Sequence, residues 1–387
     1  MIYRGAVSLV FFICLAAWEP SIASETAIEI LTGFDGANPM NQEDVVMESA
    51  RRFRVKPFNE PGSNDAYWFR LNTLVLNHGS RTEDVELIVE WPVLERHPDY
   101  PYDYYFYGDM GHWHAVRATI EGAEAKLVIP AAPGKTFVGF YPRYSYGWYT
   151  QFMESLPEDN PLIEKWVAGK SAHNRDIWCA TLTDPSVPET KKARLLITAR
   201  NHPYETGGSY IIEEIIRFLM GGSDEAGRIL RRNVVYMLPM MNPDGVVLGM
   251  NQRTGPEGVN MSYAADTDAP EINALLGLVK KVRPELWVDV HSWPHKGDDG
   301  MWCTHQWVAD GLVAELPDSS FQDYIWDVSM VQDRKMADTH LWQWLLRSYD
   351  SGGVSLSFSW FRRSESEIRL IGRRLIAALD QMMSERE

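Results

Sequence analysis

Short runs of alternating apolar and polar residues occupy the first 150 positions of the chain. The segments Val85 to Glu90 and Ala125 to Ile129 are two such runs, and Gly, Pro and Asn residues separate them from their neighbours. This pattern is typical of strands that bury one face and expose the other. We therefore predict an antiparallel β-sandwich domain over residues 24–152.

The pattern changes after Met153, where apolar β-type runs begin to alternate with helical stretches. Arg194 to Thr198 and Val234 to Leu238 are apolar strands, and a helical repeat of Ile, Leu and Val begins at Ile272. Ser364, three residues before Glu367, forms a capping box that predicts the start of a final helix. We predict an α/β domain over residues 153–387, and we expect firm packing of the two domains because no Gly/Ser-rich linker separates them.

The N-terminus carries a different signal. Arg4 is followed by an apolar run from Gly5 to Trp18 and then by the small residues around Ala23. This order predicts a secretory signal peptide over residues 1–23, and the run falls short of the roughly 20 residues that a membrane span needs. We accordingly expect an exported protein, periplasmic or extracellular, with no stable membrane anchor after cleavage.

The net charge limits the binding partners of the chain, and the cysteine content limits its possible disulfides. The formal net charge of the 387 residues is −16, which makes nucleic acid a poor partner. Cys14 would leave with the signal peptide, so Cys179 and Cys303 are the two cysteines that could pair. The sequence leaves open whether they do.

Two strand ends carry the chemistry. The strand at 194–198 runs into His202-Pro-Tyr-Glu205, which precedes an apolar helix, and the strand beginning at Trp287 ends in His291. Functional groups of α/β sheets cluster at the C-terminal ends of strands. A catalytic zinc takes three protein ligands, among them His nitrogens and carboxylate oxygens, and keeps an open position. His202, Glu205 and His291 are therefore candidate zinc ligands.

Several segments together resemble the zinc metallocarboxypeptidase superfamily, and within it the cytosolic-carboxypeptidase-like branch. The first half resembles the β-domain that precedes the peptidase domain in that branch, through residues 34–38, 67–70 and 141–144. The second half carries the peptidase motifs, in residues 198–218, 237–246 with its Asn-Pro-Asp-Gly turn, 251–253 and 289–292.

The resemblance implies a fold, a cofactor and a reaction. It implies a carboxypeptidase-like mixed sheet with flanking helices, and one Zn²⁺ per chain held by His202, Glu205 and His291. It also implies hydrolysis of peptide or other amide substrates, with zinc polarising the scissile carbonyl. Arg253 matches the arginine that the family points at the developing oxyanion, where a permanent positive charge stabilises the transition state.

The chain departs from the family pattern at two places. Ser262 and Tyr263 stand where the family has an Asn-Arg pair that grips the terminal carboxylate of the substrate. Either Ser357 or Ser359 stands where the family has its general-base glutamate, and both point to the same face of a strand. The four residues are kept as substrate-binding candidates.

These departures leave two main functions open, besides a small-molecule deacylase, which the sequence does not specifically favour. Loss of a general base typically costs about 10²–10⁴-fold in rate, and Asp350 is a weak substitute because its Ser-Tyr-Asp-Ser-Gly-Gly context is typical of a turn. The chain is therefore either a zinc hydrolase of the metallocarboxypeptidase type or a catalytically impaired zinc protein that binds peptides or cell-wall fragments.

Overall fold

The computed structural model describes residues 27–37, 42–60, 70–92, 94, 100–109, 111–293, 298–316, 325–333, 335–349 and 351–386. The predicted signal peptide, the positions 67–69 and Asp350 lie outside the described residues.

The first part of the chain forms two five-stranded sheets. Their orders are β1-β4-β10-β6-β7 and β2-β3-β5-β9-β8. The strands are β1 (Ile28–Leu31), β2 (Val45–Ser49), β3 (Arg52–Val55), β4 (Asn72–Asn77), β5 (Glu83–Glu90), β6 (Tyr104–Asp109), β7 (His112–Arg117), β8 (Thr119–Glu121), β9 (Glu124–Ala131) and β10 (Gly134–Gly139). In β9, Ala125, Leu127 and Ile129 are buried at alternate positions, which is the period of a strand with one face in the core.

The predicted antiparallel pairing is present in both sheets, with one exception. Every pair in the sheet of β1 is antiparallel. In the other sheet β3 runs parallel to β5, with Phe53 opposite Leu87. The reason is the connection: β4 lies between them in sequence and belongs to the other sheet, so the chain crosses over and returns in the same direction.

The second part has the predicted mixed α/β architecture. Its eight-stranded sheet has the order β11-β12-β14-β13-β15-β18-β16-β17. The strands are β11 (Ile163–Lys170), β12 (Asp176–Leu182), β13 (Ala193–Ala199), β14 (Asn233–Leu238), β15 (Leu286–His291), β16 (Asp298–Cys303), β17 (Ile325–Met330) and β18 (Gly352–Ser357). The helices are α1 (Tyr146–Ser155), α2 (Thr206–Met220), α3 (Asp224–Arg232), α4 (Pro243–Val247), α5 (Pro270–Val282), α6 (Gln306–Glu315), α7 (Leu341–Ser348) and α8 (Glu365–Ser384).

The helices cover both faces of this sheet because successive strand residues point in opposite directions. Leu195 and Ile197 of β13 join the hydrophobic cluster that holds α2 and α8. Leu196, between them, joins the cluster that holds α5 and α7. The central strands β13, β15 and β18 run parallel, so their C-terminal ends meet at one edge. That edge is where the metal motifs lie.

One core connects the two parts of the chain. The hydrophobic cluster on the α2 face also contains the inward residues of both N-terminal sheets. The Tyr144 hydroxyl donates a hydrogen bond to Glu213 of α2 at 2.9 Å, and the rings of Phe140 and Trp360 meet edge to face at 6.1 Å. Helix α1 crosses the boundary expected at residue 152, and the division into domains stays a prediction.

Two further expectations can be compared with the described residues. The capping box at Ser364 and Glu367 is confirmed. Cys179 and Cys303 are buried free thiols, which answers the question that the sequence left open. Within the described part of the chain, no helix is both long and apolar enough to cross a bilayer.

Candidate metal centre and its cavity

A sharp turn at the end of β13 carries two of the candidate ligands. Arg200 opens the turn in the left-handed region, with φ of 61°, which is rare for a residue with a Cβ. Its buried guanidinium donates to the carbonyl of Pro203 at 2.7 and 3.0 Å and to that of Tyr144 at 3.1 Å. Burial lowers the pKa of Arg200 to about 10, so the side chain stays charged at neutral pH and fixes the turn between His202 and Glu205.

Two glycines then let helix α2 begin directly against the sheet. A Cβ on Gly208 would lie 2.5 Å from the carbonyl oxygen of Val290 and 2.9 Å from the Cβ of Ala199. A Cβ on Gly207 would lie 2.7 Å from the hydroxyl of Ser292. The Gly-Gly pair therefore serves a close approach of backbones, and this approach brings the turn next to the end of β15.

The three predicted ligands come together at this place. Donor atoms of His202, Glu205 and His291 all lie within 4.8 Å of one another. Glu205 Oε1 is 3.0 Å from His202 Nδ1, and Glu205 Oε2 is 2.6 Å from His291 Nδ1. Oε2 is buried, and its close contact with His291 Nδ1 does not have the geometry of a hydrogen bond. Two imidazoles and a carboxylate converging on one point are a donor set that fits zinc.

The charges of the cluster depend on each other. Burial acts to raise the pKa of Glu205, but the adjacent His291 and His202 outweigh it and hold the pKa below its usual range. For His291, burial acts to lower the pKa, and the carboxylates of Glu205 and Asp289 raise it well above the ordinary value. The buried carboxylates of Glu205 and Asp289 thus draw positive charge to the site. A bound cation would supply that charge in place of the imidazole protons, which metal binding releases.

Outer contacts fix the orientation of the imidazole rings. His291 Nε2 is 2.9 Å from Asp289 Oδ2, and Asp289 also accepts hydrogen bonds from Thr198 at 2.9 Å and Asn201 at 3.2 Å. A carboxylate behind a ligating histidine is typical of zinc sites, because it sets which ring nitrogen faces the metal. His202 Nε2 lies 3.3 Å from the hydroxyl of Ser262. In both rings Nδ1 therefore faces Glu205.

A cavity of about 500 Å³ opens beside these ligands. Its wall is rich in aromatic side chains, with a set of smaller polar groups between them. The lining residues besides the three ligands are Tyr100, Asn201, Tyr204, Gln252, Asn260, Ser262, Tyr263, Asp289, Trp293, Trp302, His340, Leu341, Trp342, Ser355 and Ser357. Among these described residues there is no Arg or Lys, and the carboxylates that line the cavity are those of Glu205 and Asp289.

The two serine candidates for the glutamate position separate in the structure. Ser357 pairs with His291 across the β15 and β18 strands and lines the cavity. Ser359 is not among the lining residues; it is 1% exposed, and its backbone N–H donates to Asp299 at 3.0 Å. The strand ends at Ser357, so the period of two that placed both serines on one face no longer applies beyond it.

Arg253 is not among the residues that line the cavity. Its Nη1 donates to the carbonyl of Gly258 at 3.1 Å, and its Nε lies 3.7 Å from Glu60 Oε1. A role at the oxyanion requires the side chain to turn from these partners toward the ligands. Ser262 and Tyr263 do line the cavity, and the Tyr263 side chain is half exposed there.

Sequence reasoning missed two residues of this region. His340 caps the N-terminus of α7 and lines the cavity, but histidine is not a preferred capping residue and gives no local signal. Glu60 accepts hydrogen bonds from the backbone N–H groups of Asn251 and Gln252 at 2.6 and 2.8 Å. Nearly 200 positions separate these partners, so only the folded chain reveals the contact.

Comparison with known proteins agrees with this geometry. The family described as zinc carboxypeptidase matches residues 149–269, which include His202, Glu205 and Arg253. This part of the chain is therefore similar to a zinc carboxypeptidase domain. Cytosolic carboxypeptidase 6 of Mus musculus is 31% identical over 170 residues, which are 40% of this chain and 31% of that protein. Cytosolic carboxypeptidase 2 of Xenopus tropicalis is 33% identical over 141 residues, 33% of this chain and 14% of that protein. The chain thus spans less than a third of the length of either relative.

Solved structures share the fold over nearly the whole chain. A metallo-carboxypeptidase from Burkholderia cenocepacia has a TM-score of 0.79 at 17% identity, covering 93% of this chain and 100% of that one. A metallo-carboxypeptidase from Pseudomonas aeruginosa, solved with (2-guanidinoethylmercapto)succinic acid, has a TM-score of 0.75 at 15% identity with the same coverage. The metallocarboxypeptidase fold predicted from the sequence is confirmed.

The exported location predicted from residues 1–23 is contradicted by the comparisons. The curated relatives are named cytosolic carboxypeptidases. A short apolar run behind a single arginine is a compositional signal alone, since its recognition as a leader depends on the secretion machinery as well as on hydropathy. The prediction of an exported, periplasmic or extracellular protein is therefore wrong.

Proposed function

We propose that this chain is a zinc-dependent hydrolase of the metallocarboxypeptidase type that acts slowly on peptide or related amide bonds. One zinc ion per chain would be held by His202, Glu205 and His291. The observation that carries the proposal is the convergence of their donor atoms within 4.8 Å beside a cavity of about 500 Å³. The zinc carboxypeptidase match over residues 149–269 supports it.

The chain's own residues then perform distinct tasks. When bound, zinc supplies Lewis acidity toward a substrate carbonyl and toward water. Asp289 holds the His291 ring so that Nδ1 faces Glu205, and Ser262 lies beside the outer nitrogen of His202. The aromatic wall binds the apolar part of the substrate and limits the entry of water.

Proton transfer is the weak step of this proposal. Two described carboxylates line the cavity. Glu205 faces the two histidines, and Asp289 already accepts hydrogen bonds from Thr198 and Asn201 and contacts His291. Neither is therefore free to act as the base. The hydroxyl of Ser357 cannot take a proton at neutral pH as a carboxylate can. We therefore expect hydrolysis about 10²–10⁴-fold slower than with a positioned base.

A second candidate is a binding protein of the same fold that keeps zinc but does not turn over. Ser357, opposite His291 and facing the cavity, favours it. The aromatic wall would hold a peptide or a cell-wall fragment in either case. The two candidates differ in whether any hydrolysis depends on the metal.

Metal content and metal-dependent turnover test the proposal. We expect about one zinc per wild-type chain by elemental analysis, loss of most zinc in His202→Ala and His291→Ala, and full retention in the matched control His112→Ala, an exposed histidine on β7. Full zinc in both ligand variants would contradict the site. Weak peptide hydrolysis abolished by a chelator supports the enzyme, and none at all supports the binding protein.

A further inference from the structure

His340 stands at the junction of helix α7 and the cavity, and its two ring nitrogens have different surroundings. Nδ1 accepts a hydrogen bond from the backbone N–H of Trp342 at 3.2 Å, which caps the helix. A backbone N–H can only donate, so Nδ1 carries no proton and the neutral ring holds its proton on Nε2. The N-terminal end of a helix also disfavours an imidazolium.

Nε2 has no hydrogen-bond partner among the described residues, although the side chain is almost fully enclosed. The residue is 3% exposed and lines the same cavity as His202, Glu205 and His291. Its ring lies edge to face against Tyr263, with centroids 4.9 Å apart. Because His340 lines the cavity, a group bound there can accept a hydrogen bond from Nε2–H.

The charge of the residues that line the cavity limits which ligand groups can accept a hydrogen bond from His340. Ser262 and Tyr263 stand where the family has its carboxylate-binding Asn-Arg pair, and no Arg or Lys is among the described lining residues. Apart from the metal site, the described lining therefore offers neutral donors and aromatic surface for ligand recognition. Such a site suits an uncharged carbonyl flanked by an apolar group better than an acidic group.

We propose that His340 is a substrate-binding residue whose Nε2–H donates a hydrogen bond to a carbonyl oxygen of an uncharged, aromatic or apolar peptide-like ligand. This inference rests on the proposed function, because it places the ligand beside the zinc site. The preference it assigns is for amide-terminated over acidic ligands.

A substitution can remove the donor and keep the cap. Asparagine and serine are preferred N-cap residues, so His340→Asn and His340→Ser retain an acceptor for Trp342 N–H and lose Nε2–H. The zinc-loaded full chain is titrated calorimetrically with N-acetyl-L-phenylalaninamide and, separately, with N-acetyl-L-glutamate. We expect the amide to bind more tightly than glutamate, and its affinity to fall about tenfold in both variants, the worth of one hydrogen bond.

Equal affinity in wild type and variants overturns the inference, and so does failure of the zinc-loaded wild type to bind the amide or a preference for glutamate. Nitrogen-15 spectra of histidine-labelled protein provide a readout independent of the metal. The His340 signals, assigned by their loss in His340→Asn, should show a proton on Nε2 alone at pH 7, and a proton on Nδ1 overturns the inference. Absence of zinc from the wild type contradicts the proposed function instead, so the two failures are distinguishable.

Discussion

Glu60 Oε1 lies 3.7 Å from Arg253 Nε, across nearly 200 positions of sequence. The other carboxylate oxygen accepts the backbone N–H groups of Asn251, Gln252 and Arg253 at 2.6, 2.8 and 3.3 Å. A residue from the first part of the chain therefore holds the loop that carries the predicted oxyanion arginine. This contact makes the N-terminal sheets part of the architecture of the site.

Replacing Glu60 with glutamine tests that role. The amide keeps one acceptor oxygen but loses the charge that faces the loop donors, and we expect the free energy of unfolding to fall by about 1–3 kcal/mol. Urea denaturation measures it. Glu158→Gln, at a side chain that is 87% exposed, is the matched control and should change little. Equal stability of both variants would show that the buried carboxylate does not support the loop.

The cavity predicts which serine a carboxylate should replace. Ser357→Glu places a base in the cavity opposite His291, and we expect chelator-sensitive hydrolysis of C-terminal peptide substrates to rise by about 10²-fold or more. Ser359→Glu buries a charge near Asp299, outside the cavity lining, and should lower stability without raising the rate. Robust wild-type turnover that neither variant improves would place the base elsewhere and end the binding-protein alternative.

The close approach at Gly208 predicts a coupling between packing and metal binding. In Gly208→Ala the new methyl group would lie 2.5 Å from the Val290 carbonyl, so helix α2 must shift away from β15, at a cost of about 1–3 kcal/mol. We expect lower stability and weaker zinc retention. Gly277→Ala is the control, because a Cβ there meets nothing within 4 Å and alanine favours the helix by about 0.5–1 kcal/mol. Unchanged zinc content in Gly208→Ala would contradict the coupling.

The buried imidazole of His340 predicts a pH dependence of stability. Burial and then the positive neighbours His291 and His202 lower its pKa to about 4, against the weaker opposite effect of Asp289. The unfolded chain takes up a proton near pH 6.5 and the folded chain does not, so this group's contribution is complete above pH 6.5 and is lost as the pH falls toward 4. Between those values wild type should lose about 2–3 kcal/mol relative to His340→Asn. Denaturation curves of both proteins at pH 7 and 4.5 measure the difference, and parallel losses would disprove it.

Local patterns were enough to predict many of the elements and to single out the three candidate metal ligands. The alternation at Ala125 to Ile129 and the capping box at Ser364 depend on neighbours in sequence, and both are present. His202, Glu205 and His291 could be proposed together because strand ends of a parallel sheet converge. Their service as zinc ligands stays a prediction, and so do the roles of Arg253, Ser262, Tyr263 and Ser357.

The rest depended on contacts that no local pattern carries. The parallel pairing of β3 with β5 follows from a crossover through the other sheet. The choice between Ser357 and Ser359 depended on where β18 ends. His340 reaches the cavity because helix α7 packs against the sheet. Trp342 of α7 contacts Trp287 of β15, with ring centroids 4.8 Å apart. Such positions are set by tertiary packing, which sequence periodicity does not encode.

The two buried thiols can report how the large sheet unfolds, because each becomes reactive only when its part of the sheet opens. Cys179 lies on β12 and Cys303 ends β16, each one strand in from an opposite edge of the eight-stranded sheet. Burial raises the pKa of each thiol to about 12, so in the folded state neither reacts readily with an alkylating reagent. Labelling of each cysteine, separated by peptide mapping from Cys14, would therefore time the exposure of the two flanks independently. The labelling rates would then show which edge of the sheet unfolds first. They would also show whether zinc slows unfolding only at the edge nearer His291, and no amino-acid substitution is needed.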